Sequence, residues 1–151
     1  MLRAKLNDAL KDAMRAKDQR RVGTLRLVLA AIKDRDIASR QPDSRDGIGD
    51  ADILSLLQAM VRQRRESIVQ YEKGGRADLV AQETEEIEII ESFLPQQMDQ
   101  AGIEAAAREA VTELGASGIR DMGRVMAHLK TKFAGQMDFG KASGVVKGLL
   151  S

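Results

Sequence analysis

The spacing of apolar residues is the feature that most constrains the fold of this chain. Leucine, isoleucine, valine and methionine recur every three or four residues from the first turn onward, as in Leu2, Leu6, Leu10 and Met14. That interval places them on one face of an α-helix. Aromatic residues make up 3% of the chain and there are two prolines, a composition that also favours helices. We therefore predict an all-α protein.

Capping and stop residues divide the chain into seven predicted helices. The predicted N-caps are Asp18, Asp50, Ser117 and Asp138. The predicted helix stops are Gly74, Gly75 and Gly115. A loop rich in glycine, serine and aspartate spans residues 39–49. Pro95 ends the fourth helix, since the residue before a proline is disfavoured in the helical region. We place the domain boundary there, with a four-helix N-terminal domain in residues 1–94 and a three-helix tail domain in residues 95–151.

Residue types that carry catalysis or bind metals are sparse. The chain has no cysteine and a single histidine, His128, so disulfides, thiolate metal sites and cysteine nucleophiles are excluded. We interpret His128 as a surface or boundary residue. Four aspartates lie in or near the loop: Asp43, Asp46, Asp50 and Asp52. Their spacing is not that of a calcium-binding loop. No glycine-rich phosphate motif occurs. We predict no catalytic residue, no metal site and no cofactor.

Apolar runs are too short for a membrane-spanning helix, and the first residues lack the apolar core of a secretory signal. The longest apolar run, residues 25–32, contains Arg26. These features lead us to expect a cytosolic protein that makes no contact with a membrane. We also expect a monomer.

Positive charge is concentrated in the last two predicted helices. Residues 117–151 carry six basic and two acidic residues, whereas the whole chain has a net charge of +1. The candidate phosphate contacts are Arg124, Lys130, Lys132, Lys141 and Lys147. Glycine lowers helix propensity by about 1 kcal/mol, so glycines within these helices need a reason. Close approach of another backbone is one such reason. The small residues concerned are Gly123, Gly135, Gly140, Ser143, Gly144 and Gly148, and the candidate contacts among them are Gly123, Gly135 and Gly140.

The start of the seventh helix is a candidate anion site, because its free N–H groups and the helix dipole attract phosphate. Lys130 and Lys132 are expected near the same turn. The chain has too few aromatic residues to favour base stacking, the usual way to read single-stranded RNA. The expected target is therefore the backbone of a structured RNA. The alternative is that these cations only keep a small helical domain in solution, and the residues alone do not decide between the two.

A second basic cluster lies within the third helix and comprises Arg62, Arg64 and Arg65. The fourth helix is acidic and would run antiparallel to the third across a short turn. Ion pairs between these two helices are one explanation of the cluster. The other is a secondary phosphate-binding patch.

Several segments, in this order, resemble the GatB/YqeY family. They are residues 61–68, 71–79, 93–95, 121–126 and 145–150. The resemblance covers essentially the whole chain and identifies it with the free-standing YqeY type. Two differences from the family pattern occur: Ala127 and His128 replace the expected glycine and a smaller or apolar residue, and the turn at residues 133–138 is less basic.

The resemblance implies a tRNA-binding function. In the GatB relatives the module is the C-terminal part of a tRNA-dependent amidotransferase subunit, and a similar module is appended to some glutaminyl-tRNA synthetases. The family label of carbon–nitrogen ligase with glutamine as amido donor is interpreted as inherited from those larger relatives. The expected function is an accessory tRNA-binding module without its own catalytic site. The alternative is a protein-interaction adaptor for a tRNA synthetase or an amidotransferase.

Overall fold

The computed structural model describes residues 1–39 and 47–151. These residues form seven α-helices and no strand, which confirms the all-α class. The helices are α1 (Leu2–Arg15), α2 (Gln19–Ala38), α3 (Asp50–Lys73), α4 (Ala77–Glu91), α5 (Gln100–Leu114), α6 (Met122–Lys132) and α7 (Phe139–Leu150), and one 3₁₀ turn, Ile119–Asp121, precedes α6. Most of the predicted loop, including Asp43 and Asp46, lies outside the described residues.

Several helix ends lie where capping and stop residues in the sequence predicted them. The Asp18 carboxylate accepts the N–H of Arg21 at 3.2 Å and so caps α2. Asp138 caps α7 in the same way. Gly115 ends α5 in the left-handed conformation with φ 63°, which glycine adopts without a steric penalty. Each of these ends depends on residues within a few positions of one another.

Two predicted caps were wrong. The N-cap of α3 is Gly49, and Asp50 instead accepts the backbone N–H of Leu2 at 3.2 Å, so its carboxylate serves the first turn of α1. Ser117 is not a cap either, because its N–H donates to the carboxylate of Asp121 at 3.1 Å. That hydrogen bond lowers the pKa of Asp121. The 3₁₀ turn occupies the position where the sixth helix was expected to begin.

The helices belong to two compact units, Met1–Leu94 and Pro95–Ser151. In the first unit, helices α1 to α4 enclose an aliphatic core that includes Leu6, Leu25, Leu57 and Ile90. Arg3 of α1 binds both carboxylate oxygens of Asp36 in α2, at 2.8 and 2.9 Å. This pair holds the pKa of Asp36 below its usual range.

The second unit contains α5, α6 and α7 around its own core. Ile103, Ala107, Leu129 and Val146 are fully or almost fully buried there. The segment that joins α6 to α7 is held by the residues before α5, since the N–H of Met98 donates to the carbonyl of Gln136 at 2.7 Å. This small unit therefore fixes the turn that leads into α7, where two of the predicted lysines lie.

Candidate nucleic-acid interface

The exposed face of α7 is a strip of glycines between two lysines. Gly140, Gly144 and Gly148 recur every four residues and are all exposed. Four residues correspond to one turn plus about 40°, so the three glycines form a slowly winding row. Lys141 and Lys147 lie three residues before and after Gly144, which places them about 60° to either side of it. We call these five residues the α7 strip.

The fold itself does not require glycine at several of these positions. A Cβ atom added at Gly144 or Gly148, or at Gly123 in α6, would meet no atom within 4 Å. None of the three has a positive φ angle. Glycine in a helix interior destabilises it by roughly 0.8–1 kcal/mol relative to alanine. These glycines therefore lower the stability of the unit without relieving any clash in it.

Two of the predicted approach glycines have structural explanations instead. Gly135 is buried and has φ 76°, so the turn between α6 and α7 needs glycine there. At Gly140 an added Cβ would lie 3.2 Å from Oδ1 of Asp138, the capping carboxylate. Gly144 and Gly148 were noted among the small residues of the tail but were not chosen as candidate contacts, although they belong to a four-residue glycine repeat that is visible in the sequence.

The predicted anion site at the start of α7 already holds an anion from the protein. Oδ1 of Asp138 accepts the N–H groups of Gly140 at 2.9 Å and Lys141 at 3.2 Å. These are the first-turn donors that a phosphate would use. The helix end therefore offers little to an external phosphate, and the lysine side chains remain as the cationic groups of α7.

The five predicted cations differ in their surroundings, although all are exposed. Arg124 lies 3.5 Å from Asp121, and Lys132 lies 3.9 Å from Glu109 of α5. Exposed pairs of this length contribute about 0–1 kcal/mol, but they lower the local positive charge. The ammonium groups of Lys130, Lys141 and Lys147 form no ion pair with an acidic side chain in the described parts of the chain.

Lys130 and Lys132 both lie in the last turn of α6, next to the segment that leads into α7, but they point to different sides of the helix. They are two residues apart, which corresponds to about 200° around the helix. Lys132 faces α5, where it meets Glu109. Lys130 is therefore on the other flank of α6. The helix pitch places the two lysines of α7 on either side of the glycines, whereas the cations of α6 point to different sides of their helix.

His128 lies in the contact between α5 and α6. Its Nε2 atom is 3.5 Å from Oε2 of Glu113, is shielded from solvent and forms no hydrogen bond within the described residues. The nearby groove is lined by Arg108, Thr112 and Lys132, together with Glu109 and Glu113. A histidine between two packed helices is a boundary residue, as the sequence indicated.

The arginine cluster of α3 is largely engaged by α4. The Nε atom of Arg64 is 3.1 Å from Glu86 and 4.0 Å from Glu83, and all three side chains are less than one fifth exposed. Arg65 forms a 2.6 Å contact with Glu91. Ion pairing between the two helices, one of the two explanations left open by the sequence, thus accounts for Arg64 and Arg65. Arg62 is exposed.

Two glutamates, Glu83 and Glu86, share the single guanidinium of Arg64, and this affects the pKa of Glu83. Burial and the neighbouring Glu86 raise the pKa of Glu83 above its usual range, and Arg64 offsets this effect in part.

Within residues 1–39 and 47–151, histidine and carboxylate side chains form no group of three that could hold a metal ion. No described helix combines the length and the apolar character needed to span a bilayer.

Similar proteins from several yeasts carry the name "Altered inheritance of mitochondria protein 41, mitochondrial". The relative from Lachancea thermotolerans is 36% identical over 113 residues, which is 74% of this chain and 58% of the relative. The Kluyveromyces lactis relative is 35% identical, covering 72% and 53% of the two chains. The Eremothecium gossypii relative is 41% identical, covering 70% and 55%. The chain thus spans about half the length of the curated relatives it matches.

These names contradict the cytosolic localisation expected from the sequence, since each of the relatives is named as a mitochondrial protein. The expectation was based on the lack of a long apolar run. Mitochondrial targeting segments are amphipathic and rich in arginine rather than apolar. A search for apolar runs therefore does not separate a cytosolic family from a mitochondrial one.

A family model agrees with the resemblance found in the sequence motifs. The model described as "Yqey-like protein" matches residues 3–150, which is nearly the whole chain of 151 residues. The match includes both compact units and all seven helices. The chain therefore belongs to the YqeY-like protein family.

Proposed function

We propose that this protein is an accessory RNA-binding module without a catalytic site of its own. In this proposal the α7 strip holds the sugar-phosphate backbone of a structured RNA, and tRNA is the RNA that the family resemblance implies. The observation that carries the proposal is the presence of exposed helical glycines for which the fold has no use. An external partner that must come close to the helix backbone explains them.

The charges beside the glycines specify the chemistry of that partner. Lys141 and Lys147 flank Gly144 and have no acidic partner in the described chain. A glycine row lets a backbone approach the helix surface, and ammonium groups on both sides can then reach successive phosphates. Such contacts position a nucleic acid but carry no sequence information by themselves.

Aromatic side chains of the tail are partly buried. Phe133 and Phe139 pack against the buried cluster of the second unit. Without exposed rings, stacking on single-stranded bases lacks its usual platform. A duplex or folded RNA, recognised by its backbone, therefore fits this surface better than an unpaired strand.

The ligase activity implied by the family resemblance does not enter this proposal. We assign it to the larger relatives, in which the resemblance implies that a similar module is one part of a tRNA-dependent amidotransferase. The adaptor alternative has weaker support. In that alternative a partner protein meets the face that carries Arg62, Arg64 and Arg65, or the acidic face of α4, and Arg64 and Arg65 are already paired with acids of α4.

We further propose that the two compact units are separate domains, a four-helix domain in residues 1–94 and a three-helix domain in residues 95–151. Each unit has its own buried cluster. In this arrangement the tail domain folds around its own core, and the α7 strip depends on that core alone.

Titration of the full chain with unfractionated tRNA at several salt concentrations tests the RNA proposal. The variant Lys141→Ala with Lys147→Ala removes both lysines of the strip. Each phosphate contact contributes about 0.9 to the slope of log K against log salt, or roughly fivefold in affinity at 0.15 M salt. We expect the slope to fall by about 2 in magnitude and the affinity at 0.15 M salt to fall about 25-fold.

The matched control is Lys33→Ala with Lys73→Ala. It removes the same charge at two exposed lysines of the first unit. We expect this variant to bind tRNA as the wild type does. Equal losses in the two double variants would mean that only net charge matters, and the α7 strip would lose its assigned role.

A further inference from the structure

Charge in the first unit is strongly polarised along the chain. Residues 1–39 carry ten basic and five acidic residues, whereas residues 47–94 carry five basic and ten acidic residues. Half of those ten basic residues fall within one stretch of eleven. They surround the turn between α1 and α2 and are Lys11, Arg15, Lys17, Arg20 and Arg21. We call these five residues the α1–α2 corner.

Most of the corner's charge is accessible. All of its members are exposed except Arg21, which is partly buried with its guanidinium carbon 5.7 Å from the ring centre of Phe93. Arg20 lies 3.0 Å from Glu85 of α4. Lys11 and Lys17 have no acidic partner in the part of the chain that the structure describes.

The two acids within the corner neutralise it weakly. Asp12 lies 3.7 Å from Arg15, and both side chains are at least three quarters exposed, so solvent screens the pair. The carboxylate of Asp18 accepts the N–H of Arg21 as the cap of α2. The corner therefore keeps a net positive charge at an exposed bend of the chain.

Lys17 has an unusual backbone conformation at the centre of this corner. Its φ angle is 57°, and no other non-glycine residue among those described has a positive φ. The N–H of Asp18 donates to the carbonyl of Ala13, and that of Lys17 to the carbonyl of Met14. This is the Schellman ending of a helix, in which glycine is the usual residue at the left-handed position.

A lysine at this position costs about 1 kcal/mol relative to glycine. The described fold offers no acidic partner that its side chain would gain in return. Residues held in sparsely populated backbone conformations concentrate at functional sites. The strain at Lys17 and the accumulation of cations around it are independent observations, and both indicate that the charge at this turn is useful.

We propose that the α1–α2 corner is a second RNA contact, at which Lys17 and its neighbours bind backbone phosphates. The choice of RNA rests on the proposed function. A membrane surface fits less well, because interfacial helices insert an apolar face. Leu2 and Leu6 of α1 are buried in the core, and Met14 is the large apolar side chain of α1 that remains exposed.

The substitution Lys17→Gly in the full chain separates a binding role from a structural one. It removes one charge and also relieves the backbone strain. We expect the thermal midpoint to stay the same or rise, while tRNA affinity at 0.15 M salt falls about fivefold. The salt slope should decrease by about 1 in magnitude. The control Lys33→Ala removes one charge about 24 Å further along α2 and should leave binding unchanged.

The outcomes distinguish the two RNA surfaces. If Lys17→Gly binds as the wild type does while Lys141→Ala with Lys147→Ala binds weakly, the corner is refuted and the α7 strip stands. If Lys17→Gly alone weakens binding, the corner stands and the role of the strip is refuted. If the wild type does not bind tRNA, both proposed RNA contacts are refuted.

Two further results would overturn the assignment of the corner. A lower thermal midpoint for Lys17→Gly would show that the left-handed lysine stabilises the fold, which removes the reason for giving it a binding role. Binding of the wild type to phosphatidylglycerol vesicles that is lost in Lys17→Gly, with tRNA binding unchanged, would assign the corner to a membrane surface.

Discussion

Replacement of Gly144 by alanine tests the central structural argument directly. Gly144 is the sixth of the twelve residues of α7, and an added Cβ meets no atom within 4 Å. The substitution therefore gains helix propensity without a steric penalty. We expect the free energy of unfolding to rise by about 0.8–1 kcal/mol. In the same variant tRNA affinity should fall, because the new methyl group lies in the strip that the RNA backbone is proposed to approach.

Calorimetry measures the stability change and also tests the two-domain proposal. If Pro95–Ser151 unfolds by itself, a gain of 1 kcal/mol raises its midpoint by roughly 4–8 °C and leaves a second transition in place. If the whole chain unfolds together, the shift is roughly 2–4 °C. A single transition for the wild type would refute independent folding of the two units.

The control for Gly144→Ala is the same substitution at Gly115. That position also has open space around an added Cβ, but its φ is +63°, so alanine is strained there and should destabilise the protein by about 1 kcal/mol. Opposite signs at the two positions would confirm that Gly144 is an ordinary helical residue. A Gly144→Ala variant that is more stable and binds tRNA unchanged would refute the proposed role of Gly144, since the glycine would then serve no partner.

The remaining predictions concern two acidic side chains. Asp138→Asn keeps an effective N-cap but removes a negative charge beside Lys141, so we expect an unchanged thermal midpoint and tighter tRNA binding; weaker binding would contradict the phosphate contact at Lys141. Burial raises the pKa of Glu83, so its charged form opposes folding once the pH exceeds the usual glutamate range. Glu83→Gln should therefore raise the urea midpoint at pH 7 and lose that advantage below pH 4. A gain that is independent of pH would refute this explanation.

Helix positions could be predicted from the sequence because their causes are local. Apolar spacing, capping aspartates and a terminal glycine act over three or four residues, which is why Asp18, Asp138 and Gly115 behave as predicted. One of the two wrong cap predictions arose where a distant group competed. Asp50 could have capped its own helix, but its carboxylate accepts an N–H 48 residues away.

The charges of the candidate interface illustrate the same division. The sequence by itself determined that cations and glycines accumulate in the last two helices, since their positions along a helix follow from its pitch. Only the tertiary structure decided which cations remain unpaired. Arg64 meets Glu86 across 22 positions, and Lys132 meets Glu109 only because α6 packs on α5. A charge is neutralised by its neighbours in space, and packing between helices sets those neighbours.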